Sequence, residues 1–124
     1  MNIYISSVLI HSKKAEQIAE ELEDRGHIVP FKWWEKIGDL TVEESRDLAT
    51  SKYLAILQCE TFILIPSECE GSDFELGVAF HANKKIFALK ECEGWGESIF
   101  HYLPGINEVK EEELYEILEN ISTI

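Results

Sequence analysis

Two acids in the stretch GSDFELGVAF, residues 71–80, stand among small and apolar residues where a helix is predicted to begin. A carboxylate in that setting can act as a nucleophile or stabilise positive charge on a bound molecule. The same position also attracts ordinary acids, because negative charge near a helix N-terminus complements the helix dipole. The local sequence therefore leaves two interpretations of Glu75, either the working group of an active site or a common helix-start acid.

The residues just before Glu75 could bind a ligand at the same helix start. Gly71 lets backbone N–H groups approach a ligand closely, and Ser72 adds a hydroxyl donor. Asp73 is either a further ligand-binding residue or another first-turn acid. Together these residues predict a site for a small polar molecule.

Strands and helices alternate along the chain. Apolar runs with β-branched residues predict strands, whereas apolar residues at helical spacing predict helices. Ser12 and Thr41 are the predicted N-caps of the first two helices, Glu44 completes a capping box with Thr41, and Gly26 ends the first helix. The predicted strands cover residues 2–8, 27–31, 61–65 and 86–89, the predicted helices cover 12–26, 41–58, 72–83 and 111–121, and residues 91–109 hold a loop, a short helix and a brief fifth strand.

This alternation predicts an α/β fold, because parallel strands need crossover connections. We expect a three-layer doubly wound sandwich of the flavodoxin or Rossmann type, with a mostly parallel sheet of four or five strands and helices on both faces. No repeat, low-complexity segment or linker divides the 124 residues, so they are predicted to form one domain, residues 1–124.

Doubly wound sheets bind ligands outside the carboxyl ends of their strands, near the point where the strand order reverses. Ser6 and Ser7 follow the first predicted strand, Trp33 follows the second, and residues 66–75 follow the third. The two serines are candidates for holding a ligand, or they turn the chain. Trp33 is a candidate for stacking on a base, although adjacent tryptophans also serve as one core residue and one surface cover.

Composition limits the possible partners. The formal net charge is -13, and so acidic a surface repels phosphate backbones, which excludes DNA and RNA polymers as expected ligands. No apolar run approaches the roughly 20 residues that span a bilayer, and no basic leader precedes the first apolar stretch. Cys59, Cys69 and Cys92 show neither metal-ligand spacing nor the even number of a disulfide framework. We therefore expect a cytoplasmic protein with reduced thiols, no membrane contact and no metal.

The segment TFILIPSECEGSDFELGVAFHANKKIFAL, residues 61–89, resembles the nucleoside 2-deoxyribosyltransferase superfamily, which includes enzymes that hydrolyse deoxynucleoside monophosphates. The matching features are the loop at Gly71 and Ser72, the E-L-G triplet at Glu75 and the aliphatic strand downstream. The polar pair at the end of the first strand and the segment IFHYLPGINEV resemble the same superfamily, so the resemblance covers most of the chain.

The resemblance implies hydrolysis or transfer of an N-glycosidic bond in a nucleoside, nucleotide or related small molecule. Glu75 would attack the sugar or stabilise its oxocarbenium ion as the bond breaks. Gly71, Ser72, Ser6 and Ser7 would hold a phosphate or a sugar hydroxyl. The chemistry needs no cofactor. The superfamily also implies a homodimer or higher homo-oligomer in which a neighbour completes the pocket, with the aromatic segment WGESIFHYLPG as a candidate interface.

One departure from the superfamily pattern bears on activity. Active members commonly carry another acid on the helix before the third strand, where Lys52 and Tyr53 stand in this chain. Asp47 lies earlier on the helix as a potential substitute, and Glu60 stands where a further acid is usual. The change points to a different substrate or to a loss of catalysis.

Three functions of different classes therefore stay open at the level of sequence. The first is an N-glycosidic bond hydrolase or transferase. The second is a non-catalytic module that binds a nucleotide or a nucleotide-derived signal. The third is a Toll/interleukin-1-receptor-like domain, which shares the doubly wound layout and can use a glutamate to cleave NAD.

Overall fold

The computed structural model describes residues 1–36, 38–67 and 69–122, and its centre is a parallel sheet. The strands of this sheet are β1 (Ile3–Ser6), β2 (Thr61–Leu64), β3 (Lys85–Leu89) and β4 (Ile106–Val109), in the order β1-β2-β3-β4. Every residue of β1 and β2 is buried, as expected of parallel strands that are covered on both faces. Their apolar runs form the middle of the hydrophobic core.

Residues 27–31, which we predicted as a second strand, form a single parallel bridge at Ile28. The Ile28 N–H donates to the Met1 carbonyl at 2.8 Å, and the Ile3 N–H donates to the Ile28 carbonyl at 2.8 Å. Pro30 has no N–H with which to continue such a ladder. A full strand over residues 27–31 is therefore wrong, whereas the position at the edge of the sheet, which Pro30 predicts from the sequence, is confirmed.

The strand order reverses next to β1. From β1 the chain crosses to the bridge at Ile28 on one side and then returns to β2 on the other side. Such a reversal leaves a crevice outside the carboxyl ends of the strands. Here those ends are Ser6 in β1 and Leu64 in β2, which are register partners.

Helices cover both faces of the sheet. α1 (Ser12–Asp24) and α4 (Glu111–Ser122) share one face and are joined by ion pairs, whereas α2 (Val42–Gln58) and α3 (Glu70–His81) pack against each other on the opposite face. None of the helices in the described ranges is both long enough and apolar enough to cross a membrane. The architecture confirms the predicted three-layer α/β sandwich.

The start of α2 and the end of α1 follow the local signals that the sequence predicts, whereas the start of α1 does not. The Thr41 hydroxyl accepts a hydrogen bond from the Glu44 N–H at 3.1 Å, and the Glu44 carboxylate accepts one from the Thr41 N–H at 3.0 Å, which is the predicted capping box. Gly26 follows α1 with a φ of 90°, in the left-handed region that favours glycine. Ser12 is the first residue of α1 rather than its N-cap, because His11 occupies that position.

Residues 91–109 contain a loop, a 3-10 helix (Ile99–Tyr102) and β4. This arrangement confirms the elements predicted for the segment. β4 is the fourth strand of the sheet instead of the fifth, since residues 27–31 add only a bridge.

Candidate active site

A cavity of about 300 Å³ opens beyond the carboxyl ends of β1 and β2. Its wall includes Ser7 after β1, Trp33, Lys52 from α2, and Ser72 and Glu75 from α3. The volume lies at the lower end of the range of small-molecule sites. Hydroxyl, ammonium and carboxylate groups thus converge on one pocket of the size of a small ligand.

Glu75 is the buried acid of this cavity, with 8% of the residue exposed. Ser6 Oγ donates a hydrogen bond to Glu75 Oε1 at 2.7 Å, and Lys52 Nζ lies 3.2 Å from Oε2. A carboxylate loses hydration at such a depth, and the hydroxyl and the ammonium compensate for that loss. Both carboxylate oxygens are therefore held in defined directions beside the cavity.

α3 begins at Glu70, so Glu75 lies in its second turn, and the interpretation of Glu75 as a common helix-start acid is wrong. The spacing of residues in α3 explains why Glu75 faces inward. The buried residues of this helix are Ser72, Glu75, Leu76 and Ala79, which recur at the interval of one helical face. β1 and β2 are parallel and in register, so the chain enters α3 at the same edge of the sheet where Ser6 ends β1. The inward face of the first turns of α3 therefore meets the end of β1.

The start of α3 leaves hydrogen-bond donors available to a ligand. Cys69 occupies the N-cap position, and its side chain makes no capping hydrogen bond. Ser72 is 4% exposed, and its Oγ has no hydrogen-bond partner among the described residues. The first N–H groups of a helix have no acceptor within the helix, and the helix dipole favours negative charge there. This end of the cavity is suited to an anion or a sugar hydroxyl.

Trp33 positions Lys52. The Lys52 ammonium lies 4.7 Å from the centroid of the Trp33 ring, which is a cation–π contact. Trp33 is buried, and its Nε1 donates a hydrogen bond to the Ile5 carbonyl at 2.7 Å. The ammonium therefore lies against the ring that the sequence offers as a candidate for stacking on a base.

The structure brings most of the predicted site residues together. Ser6 is fully buried and reaches the cavity through its bond to Glu75. Asp73 lies outside the cavity, where its Oδ2 accepts a hydrogen bond from Ser98 Oγ at 2.8 Å. The predicted residues that line the cavity directly are Ser7, Trp33, Gly71, Ser72 and Glu75. The ligand-binding roles of all these residues stay predictions.

The other acids considered from the sequence do not join the site. Asp47 is exposed on α2 and is not among the residues that line the cavity around Glu75. Glu60 is exposed, and its Oε1 accepts a hydrogen bond from the Asn2 N–H at 2.9 Å. Lys52 stands in the cavity instead, and its contact with Glu75 was not predicted. The sequence does contain one signal for this position: Leu48 and Ile56 are apolar and lie one turn before and one turn after Lys52, which indicates that Lys52 lies on the inward face of α2.

Tyr4 is a second group that the sequence did not reveal. It lies buried in β1 and stacks on Phe62 with ring centroids 5.8 Å apart. Burial, and then the negative charge of Glu75, raise the pKa of Tyr4 above its ordinary value. Its hydroxyl has no hydrogen-bond partner among the described residues. Tyr4 is therefore a neutral neighbour of Glu75 that does not donate a hydrogen bond to it.

Comparisons with known proteins bear on the fold. A scan of protein-family models found no match, and a search of curated proteins found none. Among solved structures, the chain is similar to the CMP N-glycosidase BcmB from Clostridium botulinum, with 24% sequence identity and a TM-score of 0.62. The match covers 96% of this chain and 99% of that chain. The resemblance seen in the sequence is thus confirmed for the architecture, and over nearly its whole length this chain has the fold of a CMP N-glycosidase.

Proposed function

We propose that the protein cleaves the N-glycosidic bond of a nucleoside, nucleotide or related small molecule, with Glu75 as the nucleophile. The observation that carries the proposal is the buried Glu75 carboxylate, which lines a cavity of about 300 Å³ between a serine hydroxyl and a lysine ammonium. An acid that only complements a helix dipole needs neither burial nor two long-range partners. The fold shared with a CMP N-glycosidase supports the same class of chemistry.

The chemistry begins with the anomeric carbon about 3–3.5 Å from a Glu75 oxygen. That oxygen attacks the carbon, the bond to the base nitrogen breaks, and the bonding electron pair leaves with the base. Ser6, through its bond to Oε1, keeps the carboxylate in one orientation. Water then cleaves the glycosyl ester in a hydrolase, whereas a second base takes the sugar in a transferase.

The start of α3 favours a phosphorylated substrate. The Ser72 hydroxyl lacks a hydrogen-bond partner within the described part of the chain. The N–H groups of Gly71 and Ser72 lie in the first turn of α3, where no carbonyl of the helix can accept a hydrogen bond from them. A phosphate satisfies several such donors at once, and the helix dipole adds to its attraction. Ser7 lines the same cavity after β1, and its hydroxyl adds a further donor when it exchanges its 3.0 Å bond to the Val8 carbonyl for one to the phosphate. We therefore expect a nucleotide to bind more tightly than its nucleoside.

The proposal is tested by incubating the protein with nucleosides, nucleoside monophosphates and NAD while chromatography follows the free base. Glu75→Gln keeps the shape of the side chain and removes the nucleophile, so base release should fall by at least about 1000-fold. Glu70→Gln is the matched control, because Glu70 is an exposed acid in the first turn of the same helix. Its activity should stay close to that of the parent. Base release by Glu75→Gln at the parental rate would remove Glu75 from the mechanism.

A non-catalytic nucleotide-binding module is the second candidate. The ion pair between Lys52 and Glu75 favours it, since the ammonium already occupies the direction of one carboxylate oxygen. A module of this kind would gain thermal stability from a bound nucleotide. Chromatography would then recover the nucleotide unchanged.

We also propose that the protein forms a homodimer or a higher homo-oligomer. α2 and α3 expose Tyr53, Leu57 and Phe74 around one apolar depression, and the 3-10 helix Ile99–Tyr102 exposes further aromatic and aliphatic side chains. The chain has a formal net charge of -13, so two copies repel each other least where such largely apolar surfaces meet. A second copy of the chain is the occupant that we expect on this surface.

The cytoplasm stays the proposed location. Cys59, Cys69 and Cys92 are all free thiols in the fold. Reduced thiols are typical of proteins kept in a reducing compartment.

A further inference from the structure

The Lys52 side chain turns inward to the cavity, although most of α2 is exposed and a lysine there could extend into solvent. α2 is exposed along most of its length, yet the Lys52 side chain is 25% exposed and lines the cavity. Its Nζ lies 3.2 Å from Glu75 Oε2 and 4.7 Å from the ring centroid of Trp33. An ammonium held from two sides at the wall of a cavity is positioned to touch the molecule that Glu75 touches.

Negative charge moves across this site during N-glycosidic cleavage. When a carboxylate attacks the anomeric carbon, its charge disappears as the ester forms, and a neutral base departs as an anion. The Lys52 ammonium would lose its ionic partner at the moment when new negative charge develops on the base. A cation that is already in place stabilises such charge without reorganising its surroundings.

We propose that Lys52 selects the leaving group. It favours neutral bases with a carbonyl oxygen next to the glycosidic nitrogen, as in pyrimidines, and disfavours cationic bases such as the pyridinium ring of nicotinamide nucleotides. An ammonium donates hydrogen bonds and accepts none, so it stabilises a carbonyl oxygen that gains negative charge and repels a ring that is already positive. The inference rests on the proposed function, because it gives Lys52 a role in the reaction proposed for the same cavity.

The bond changes balance in each step. A Glu75 oxygen bonds to the anomeric carbon while the electron pair of the carbon–nitrogen bond passes to the base and onto its carbonyl oxygen, which accepts a hydrogen bond from Lys52. Water then gives its hydroxyl group to the anomeric carbon and one proton to the base, which restores the Glu75 carboxylate. Lys52 stays protonated throughout. A pyridinium ring leaves as a neutral molecule, so the ammonium meets positive charge before the bond breaks and gains no anion afterwards.

Two nucleotides with the same ribose 5′-phosphate isolate this selection. Uridine 5′-monophosphate and nicotinamide mononucleotide differ in the leaving group, and the ratio of their kcat/KM values measures the preference. Lys52→Met keeps an unbranched side chain without its charge, and it should lower the ratio of uridine to nicotinamide nucleotide by about 10- to 100-fold. Lys52→Arg keeps a cation and should retain most of the preference. Lys14→Met is the matched control, because Lys14 pairs with Glu111 at 3.0 Å outside the cavity.

Binding gives a second readout that does not require turnover. Glu75→Gln removes the anionic partner of Lys52 while keeping the shape of the site. By calorimetry, this variant should bind uridine 5′-monophosphate at least about 10-fold more tightly than nicotinamide mononucleotide. Adding Lys52→Met to Glu75→Gln should bring the two Kd values close together, which a purely structural role of Lys52 would not do.

The outcomes separate the inference from the proposed function. If the parent releases base but Lys52→Met leaves the kinetic and binding ratios unchanged, leaving-group selection fails and the function stands. If no substrate releases base but Lys52→Met abolishes the binding preference of Glu75→Gln, the catalysis fails and the recognition by Lys52 stands. If Glu75→Gln binds neither nucleotide and the parent releases no base, both are overturned.

Discussion

α3 and α4 each follow a parallel strand, and each holds a carboxylate in its N-terminal half, Glu75 in the second turn of α3 and Glu111 as the first residue of α4. In α4, Glu111 lies 3.0 Å from Lys14 Nζ and accepts a hydrogen bond from the Tyr115 hydroxyl at 3.3 Å. In α3, Glu75 is likewise held by one lysine and one hydroxyl, at 3.2 and 2.7 Å. The chemical types of the partners are therefore the same for both acids, and they do not distinguish an acid that lines a cavity from one that does not.

The two acids differ in burial and in the origin of their partners. The Glu75 side chain is 10% exposed, compared with 26% for Glu111. Tyr115 lies one turn along the same helix as Glu111, whereas Ser6 reaches Glu75 from the end of β1. α3 follows β2 beside the reversal of strand order, whereas α4 follows the edge strand β4. Topology, more than the local sequence, therefore decides whether an acid in the N-terminal half of a helix becomes part of a cavity.

Equivalent core leucines of the two helices should give the largest effect. Leu76 in α3 and Leu114 in α4 are both fully buried. Replacing either by alanine deletes buried apolar atoms and leaves a cavity, so each variant should lose about 2–5 kcal/mol of free energy of unfolding. Denaturant unfolding of the two variants measures this loss.

We expect the two losses to be equal, because both leucines are fully buried and the two helices differ mainly in what their N-terminal halves face. A loss well below about 2 kcal/mol for Leu76→Ala alone would contradict it. That result would mean that α3 packs loosely in solution and does not maintain the burial of Glu75.

Replacing the two buried serines that donate hydrogen bonds to carboxylates of α3 should give the second-largest effect. Ser6→Ala removes the donor to Glu75, and base release should slow by about 10- to 100-fold, since a hydrogen bond to a charged group contributes about 1.5–3 kcal/mol. Ser98→Ala is the control, because the Ser98 hydroxyl donates to Asp73 at 2.8 Å outside the cavity. Both variants should lose comparable stability, and only Ser6→Ala should lose activity.

Steady-state rates and unfolding curves of the two serine variants decide the outcome. An equal loss of activity in both would mean that the hydrogen bonds act through the whole of α3. The orientation of Glu75 by Ser6 would then no longer explain the effect, and the distinction between the inside and the outside of the cavity would break down.

Much of the fold follows from signals that act over a few residues. Thr41 and Glu44 bond to each other across one helical turn, and Gly26 ends α1 through its own backbone conformation, so the sequence predicts both ends. Ile28 shows the limit of such signals. Its segment has strand-like composition, but pairing depends on a partner elsewhere in space, and Pro30 prevents the ladder from continuing.

The candidate site also contains residues that the sequence predicts and contacts that it does not. Glu75 and Ser72 could be predicted because their spacing sets one face of α3 and the E-L-G pattern resembles a known superfamily. The contact between Lys52 and Glu75 could not, since it depends on how α2 crosses α3 and not on either helix alone. Trp33 is a candidate for stacking on a base in the sequence, and nothing in its neighbourhood along the chain reveals the ammonium over its ring.

Thiols at helix ends should give the smallest effect and the most direct view of ligand access. Cys69 occupies the N-cap position of α3, is half-buried and lines the cavity. Cys59, at the end of α2, is buried, and burial raises the pKa of its thiol to about 11. Iodoacetamide at about pH 8 should therefore modify Cys69 before Cys59, and mass spectrometry of peptides locates the label.

A bound nucleotide should protect Cys69 but not a thiol at the start of α4. A nucleotide at ten times its Kd leaves about one tenth of the sites free, so modification of Cys69 should slow by about 10-fold. Lys110→Cys supplies the control, because Lys110 is exposed immediately before Glu111 and away from this cavity. Equal protection of both thiols would show that the nucleotide acts on the whole protein. Protection of Cys69 alone would show that the start of α3 meets the ligand, whereas the start of α4, whose acid is also held by a lysine and a hydroxyl, does not.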